Sequence, residues 1–487
     1  MVTKKRNSIQ KNYAYNLAYE AFLLIMPFVV TPYVSRALGE DASGQYSFIY
    51  SIVTYFTYFA ALGFDRYAQR LIAQHQGNRK DQTKIFWEVF IARLIPVFVS
   101  VVIYIGIIFS GVLDSKYNEL LVIFSVNVIS VAFDITFLFR GNEDFGKIVF
   151  RNIIVRIVGI ICIFVFVHSA QDLWIYALIQ SLTVIIGNLS LWFYLGVYVE
   201  RRCSDRLIIK NHIKRSFILF LPTIATAVYT SLDKTLIGVI TQIDSENGNY
   251  EYAESFVKMS MVVITSLGTA VAPRNSHKYA TGDLEGMRKN VNNSLRVVFL
   301  FGIPIMLGLI AISDGLIPWY LGPGYLKSST LMKLLSPLVL IIGLSNVFGL
   351  QILLPCERDK KFTVSVSLGA ILNFGLNCIL ISFFASYGAA ISTIIAEGVV
   401  TLTMMFFAKD IYTISGTIKS IWKYMMAGAI MFFPCYFVDV LLPDRVYSTI
   451  IVVILGVVVY FGIILILRDD FIFKLIYSFK RKLRENK

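Results

Sequence analysis

Apolar segments of about 20 residues recur from one end of this sequence to the other, each long enough to cross a bilayer. "AFLLIMPFVV" after Glu20, "VFVSVVIYIGIIFS" after Pro96 and "TIIVVILGVVVYFGIILIL" after Ser448 are three of them. Inside hydrocarbon a chain must satisfy its own backbone polar groups, which leaves helices and closed barrels. The apolar runs are continuous, not alternating, and this excludes a barrel. Only 16% of the 487 residues are charged, against 56% hydrophobic, and the mean hydropathy is +0.68. A soluble chain carries about a quarter charged residues. The expected class is all-α: a polytopic membrane protein of about fourteen transmembrane helices.

The expected spans lie near 12–37, 45–73, 86–110, 118–140, 150–168 and 173–199. Six more lie near 215–240, 250–275, 291–313, 328–354, 363–384 and 388–408, and two near 420–441 and 446–467. The N-terminal apolar stretch is too long for a signal peptide and lacks a small-residue cleavage site, so it reads as a retained span. The longest interior loop divides the first twelve helices into two sixes. Residues 1–200 form a first six-helix lobe and 201–410 a second. Residues 411–487 add two peripheral helices and a basic tail. Gly-x-Tyr recurs near the start of the second and eighth spans, at Gly44 and Gly248, as parallel repeats would place it.

The net charge of +14 comes from short basic clusters between spans. "KKR" at Lys4, "GNRKDQTK" after Gln76, "ERRCSDRLIIKNHIKR" at Glu200, "ERDKK" at Glu357 and the tail "FKRKLRENK" fall on one side. Lys116, Lys327 and Arg445 are nearly all that the other side holds. The bias puts both termini in the cytoplasm and explains the charge without a nucleic-acid partner. Exterior loops are short, which excludes an exterior catalytic domain and disfavours a polymerase or ligase. The five Cys form no CxxC pair, and there are only four His. No metal site, disulfide framework, Walker loop or GxSxG appears, so no cofactor and no enzyme activity are expected.

Charge inside a span is expensive and should face a bundle interior or a wet cavity. The deep charges are Glu20, Asp65, Arg66, Arg93, Asp134 and Arg156, then Asp233, Lys234, Glu254, Lys258, Lys333 and Glu397. In "AALGFDRYAQRLIA" the second span carries Asp65 and Arg66 well inside its end, so it is expected to line a cavity. Arg forks suit a phosphate-bearing ligand. Arg70, Glu88, Arg140, Arg151 and Arg274 lie near span ends, where snorkelling to headgroups explains them. Glu254 and Lys258, at i and i+4, read equally as a structural ion pair. Asn373 and Asn377 share a face suited to interhelical hydrogen bonds. Trp174, Trp192, Trp319 and Trp422 read as an interfacial belt.

Three stretches carry a family resemblance. "TPYVSRALGEDASGQYSFIYSIVTYFTYFAALGFDRYAQRLIA", "LPTIATAVYTSLDKTLIGVI" and "KFTVSVSLGAILNFGLNCILISFFASYGAAISTIIAEGVV" occur in that order. The chain resembles the Wzx-type flippases of lipid-linked oligosaccharide repeat units. These belong to the multidrug/oligosaccharidyl-lipid/polysaccharide exporter superfamily. The resemblance implies two six-helix lobes around a central cavity, plus two extra helices. It implies a bacterial cytoplasmic membrane and an undecaprenyl-diphosphate-linked sugar moved from the inner to the outer leaflet by alternating access. That sugar could be a capsule, O-antigen-like or teichoic-acid precursor. By resemblance, Arg66, Arg156, Lys234 and Lys258 would hold the diphosphate, and Arg36 is a turn residue. Asp65, Asp233, Glu397 and Glu20 are candidates for cavity lining or for H+ or Na+ coupling. A monomer is expected. A cation-coupled multidrug exporter of the same superfamily is the alternative, and it would favour an acidic cavity.

Overall fold

The computed structural model describes residues 2–200, 207–412 and 414–473. Side chains at 2–21, 23–25, 221–223, 225–229, 267, 269–270 and 414–420 lie outside that description. The chain divides into two compact units, Met1–Gly248 and Asn249–Lys487. The first holds α1 (Val2–Ala61), α2 (Phe64–Gln74), α3 (Arg79–Ser110), α4 (Asn118–Phe133), α5 (Thr136–Gly141), α6 (Phe145–Phe166), α7 (Leu173–Ser190) and α8 (Lys210–Thr241). α9 (Asp244–Ala280) begins there and continues in the second unit. The second unit adds α10 (Leu284–Tyr320), α11 (Leu326–Leu335), α12 (Leu338–Phe348), α13 (Asp359–Phe384), α14 (Ser386–Phe407), α15 (Ile414–Leu441) and α16 (Val446–Ile466). Among the described residues, 11 helices are long and apolar enough to span a membrane, or up to 12 if the bent pair around Ser336 and Pro337 counts as one. The protein is an all-helical, multi-pass membrane protein.

Several expected spans are broken at identifiable residues. The first two lie in one long helix, α1, which turns at Gly39 (φ 76, ψ 175). The second breaks again at Leu62 and Gly63, both at positive φ. Asp65, Arg66 and Arg70 therefore belong to a separate amphipathic helix, α2, not to a continuous span. α2 buries Phe64, Tyr67, Ala68 and Ile72 and exposes Arg66 and Arg70. Buried Ser216 of α8 donates to the Leu62 carbonyl that the break leaves free. The fourth span breaks between α4 and α5, where Asp134 accepts from the Thr136 amide at 2.9 Å.

One side chain serves both breaks. Arg93 of α3 is 1% exposed. Its Nη1 donates to the Asp134 carbonyl at 2.7 Å, and its Nη2 lies 3.1 Å from Asp65 Oδ1. A helix end inside a bundle needs such partners, because its last carbonyls have none of their own. Glu88 is also buried, contrary to snorkelling. It accepts from the Ile208 amide at 3.0 Å and lies 2.9 Å from His212 Nε2. Tyr67 meets the other ring nitrogen of His212 at 2.9 Å. This chain of bonds ties α2, α3 and α8 together.

The two Gly-x-Tyr motifs meet. The Gly44 amide and the Gly248 backbone lie so close that a Cβ on Gly44 would sit 3.0 Å from the Gly248 nitrogen and 1.7 Å from the Asp244 carbonyl oxygen. Asp244 beside them is clasped by Tyr117 at 2.5 Å, Lys116 at 2.7 Å and Gln45 at 3.1 Å.

In the second unit, α15 and α16 pack on α10 through Ile303, Tyr424, Ala427, Met431, Val452 and Tyr460. Their other faces expose Phe433, Ile450, Val453 and Val458, as lipid contact requires. Asn377 donates to Asn373 at 3.1 Å, and Asn373 reaches Thr393 of α14 at 3.4 Å, a bridge between helices. Trp192 and Trp319 each have partners within the protein. Trp192 donates to the Phe133 carbonyl and packs on Phe86 and Phe90, and Trp319 donates to Thr449.

Candidate functional site

The first unit encloses a cavity of about 440 Å³, within the size range of small-ligand sites. Its walls follow from helical spacing. On α6, Arg151, Val155, Arg156, Gly159, Ile160 and Ile163 form one face. On α7, Tyr176, Gln180, Thr183, Val184, Gly187 and Asn188 do the same. Pro27, Val30 and Thr31 close it from the first arm of α1, Tyr46 and Tyr50 from the second, and Asn127 from α4.

Every charged side chain in this wall is basic: among the described residues it holds Arg151 and Arg156 and no carboxylate. Arg151 donates to the Gly187 carbonyl and, through Nε at 2.9 Å, to Asn152 Oδ1. Arg156 stands midway along α6, exposed, and makes no hydrogen bond or ion pair among the described residues. A guanidinium in mid-span has to be solvated by a wet cavity or by a ligand. Tyr46 and Tyr50 stack, with ring centroids 5.7 Å apart and planes 8° apart, and Tyr46 also packs on Tyr176. Gln180 donates to the Tyr176 hydroxyl at 3.1 Å, and Asn188 to the Ser130 carbonyl at 3.1 Å. Asn127, 6% exposed, keeps a buried Oδ1 with no partner among the described residues. The arrangement combines two cations, amide groups and aromatic faces, which is the chemistry that binds a phosphorylated sugar.

Of the residues singled out in the sequence, Arg156 lines this cavity and Arg66 does not: it lies on the exposed face of α2. Asp65 pairs with Arg93. Asp233 is buried on α8 and Lys234 beside it half-buried, and neither lines the cavity. In the second unit Lys258 pairs with Glu254 at 2.6 Å, Lys333 pairs with Asp314, and Glu397 is half-buried on α14. Glu20 lies outside the described side chains. Sequence reasoning passed over Arg151, assigned to headgroups, as well as Tyr46, Tyr50, Asn127 and Gln180. The available signal was polar spacing on α7, where Gln180, Thr183, Gly187 and Asn188 recur at helical intervals.

Comparison with known proteins gives the chain a family and a fold. The family described as "Polysaccharide biosynthesis protein" matches residues 9–277, just over half of the sequence. The chain belongs to this family. A putative O-antigen transporter of Escherichia coli (strain K12) is 25% identical over 411 residues, covering 83% of this chain and 97% of that protein. A probable low-salt glycan biosynthesis flippase, Agl15 of Haloferax volcanii, is 25% identical over 272 residues, 54% of this chain and 55% of its own. Among solved structures, the lipid II flippase MurJ in an inward closed conformation aligns over 92% of this chain and 100% of its own. It does so with TM-score 0.65 at 18% identity. An inward-facing multidrug resistance MATE transporter of the MOP superfamily aligns over 84% and 96%, with TM-score 0.65 at 13% identity. The polysaccharide biosynthesis chain thus has the helical fold of these membrane transporters.

Proposed function

We propose that the protein is a flippase for a lipid-linked oligosaccharide, carrying a polyprenyl-diphosphate-linked sugar from the inner to the outer leaflet of a bacterial cytoplasmic membrane. The observation that carries this reading is the doubly basic cavity of the first unit, with no carboxylate among the described residues that line it, in a chain of the polysaccharide biosynthesis family. A sugar-diphosphate head cannot cross hydrocarbon unaided, because its charge and hydroxyls need solvation. Arg156 supplies a fork for phosphate oxygens in mid-span. Tyr46 and Tyr50 offer ring faces to sugar C–H groups, and Gln180 and Asn127 offer amides to hydroxyls. The polyprenyl tail stays in lipid. Transport then needs two states of similar free energy that expose the head to each side in turn.

Arg66, Lys234 and Lys258 belong to the same proposal as further cations along the route. Asp65, Asp233, Glu397 and Glu20 belong to it as sites of coupling to H+ or Na+. The termini and basic loops face the cytoplasm. A multidrug exporter of organic cations would call for carboxylates where this cavity places arginines.

The test is flipping of a fluorescent polyprenyl-diphosphate sugar in proteoliposomes. Arg156→Ala is expected to lower the rate about tenfold or more, the scale of one lost charge-assisted bond pair, with Arg156→Lys intermediate. Unchanged flipping by Arg156→Ala and by Arg151→Ala would overturn the assignment.

A further inference from the structure

A second cavity, of about 420 Å³, lies at the N-terminal end of α6 and the C-terminal end of α7. Its wall includes Lys147, Phe150, Arg151, Ile154, Val155 and Phe193. Arg151 and Val155 line the inner cavity as well. The two spaces are therefore separated by one layer of side chains on α6.

The seam between α6 and α7 is uneven along its length. At Gly159 a Cβ would stand 2.7 Å from Thr183 Oγ1, so the helices are in close contact there. At Gly187 the nearest atoms to such a Cβ are Arg151 Cζ and Nη1, each at 3.9 Å. The lower seam is thus filled by a flexible guanidinium instead of by helix against helix. Outside it, Phe193 is 90% exposed and Phe150 67% exposed. Lys147 stands beside them, 2.9 Å from Asp144 and over the Tyr194 ring at 5.5 Å. Exposed aromatic rings next to two cations, with no carboxylate lining the cavity among the described residues, match an amphiphile: an apolar chain carrying an anionic head.

We propose that the lower α6–α7 seam is a lateral access site for a lipid bearing a phosphate or diphosphate head. The chain lies on Phe150 and Phe193 in the membrane. The head meets Lys147 and Arg151 at the rim. Rotation of the Arg151 side chain away from the Gly187 carbonyl opens the way to Arg156 in the inner cavity. The site rests on the flippase reading for what passes through it, but its chemistry is that of a lipid-anchored anion in any case. A soluble anion has no use for the exposed rings.

The test is photocrosslinking of the full-length protein in phosphatidylcholine vesicles containing a polyprenyl diphosphate. p-Benzoylphenylalanine replaces Phe193, and in a control replaces Phe98 of α3, which is 69% exposed. Capture at Phe193 is expected to exceed capture at Phe98 about tenfold and to survive excess inorganic pyrophosphate, as a lipid held by both head and chain would. It should fall with Arg151→Ala, recover in part with Arg151→Lys, and fall with Gly187→Leu, which crowds the guanidinium. A melting curve for each variant separates loss of binding from loss of fold, and Phe150→Ser probes the chain contact without touching either cation. Equal capture at the two positions, or capture indifferent to all four substitutions, would show ordinary surrounding lipid and end the proposal. Displacement by pyrophosphate would reassign the site to a soluble anion. Flipping without preferential capture removes the access site and leaves the flippase reading standing. Capture without flipping does the reverse.

Discussion

Replacing Arg93 tests whether its guanidinium holds the two helix breaks of the first unit. Its bond to the Asp134 carbonyl, 2.7 Å long and made by a charged donor, is worth about 1.5–3 kcal/mol. Its ion pair is worth less, because the Asp65 side chain is 42% exposed; such a pair contributes at most about 1 kcal/mol. Loss of the packed aliphatic stem adds about 1 kcal/mol. Arg93→Ala is thus expected to destabilise the protein by about 3–5 kcal/mol. Arg93→Lys offers a single donor point and serves one break but not both, so it should cost about 2 kcal/mol. Asp65→Asn removes only the ion pair, in which Arg93 is buried and Asp65 half-buried, and should cost about 1 kcal/mol. The assay is denaturant unfolding in mixed micelles, followed by tryptophan fluorescence. An Asp65→Asn loss equal to that of Arg93→Ala would mean the ion pair, not the carbonyl bond, carries the stabilisation. An Arg93→Ala loss below about 1 kcal/mol would refute the stitching role altogether.

Three further outcomes follow from the fold. Gly44→Ala and Gly248→Ala each drive a Cβ to 1.7 or 2.2 Å from a facing carbonyl oxygen, so each should cost about 1–3 kcal/mol. The double variant should cost less than the sum in thermal melts, because both relieve one contact. Glu88→Ala leaves the Ile208 amide and His212 without their acceptor; amide exchange at 208–213 should quicken, with a loss of about 1–3 kcal/mol. The Arg358 fork, which bonds both Asp410 oxygens, holds that carboxyl down to about 2. A depressed carboxylate pKa contributes stability above its unfolded value, about 4, and loses it as pH falls toward about 2. Asp410→Asn should therefore flatten the stability–pH curve in that window and leave the neutral plateau only slightly lower. An unchanged acid limb in melts between those pH values would count against the fork.

Helix identity was legible in the sequence because hydrocarbon leaves a chain few alternatives. The interruptions were harder to see. Gly63 is the one break signal in "AALGFDRYAQR", and a lone Gly is tolerated inside a helix too, so it does not by itself separate a charged helix end from a break followed by a new helix. The difference lies in tertiary partners: Ser216 for the freed Leu62 carbonyl and Arg93 for Asp65 and Asp134. The same holds for the site. Arg156 could be found from depth alone, since an arginine in mid-span needs a solvated place. Arg151, one turn nearer the helix end, had an adequate explanation in the headgroups. Its bond to the Gly187 carbonyl turns it inward. Glu88 was misplaced for the same reason, because depth along a helix axis says nothing about which way a side chain faces.

Gly39 has a stereochemical consequence. Its torsions lie where only a residue with no β-carbon is at ease, and they join two long helical arms without a linker. The handedness of the L-amino acids therefore forbids any other common residue from making this elbow unstrained. A D-alanine placed there by chemical ligation would tolerate the positive φ, whereas an L-alanine must reorient one whole arm against its neighbours. The angle between the arms, which sets how Pro27 and Tyr50 face each other across the cavity, is thus fixed by a pair of torsions at a single achiral carbon.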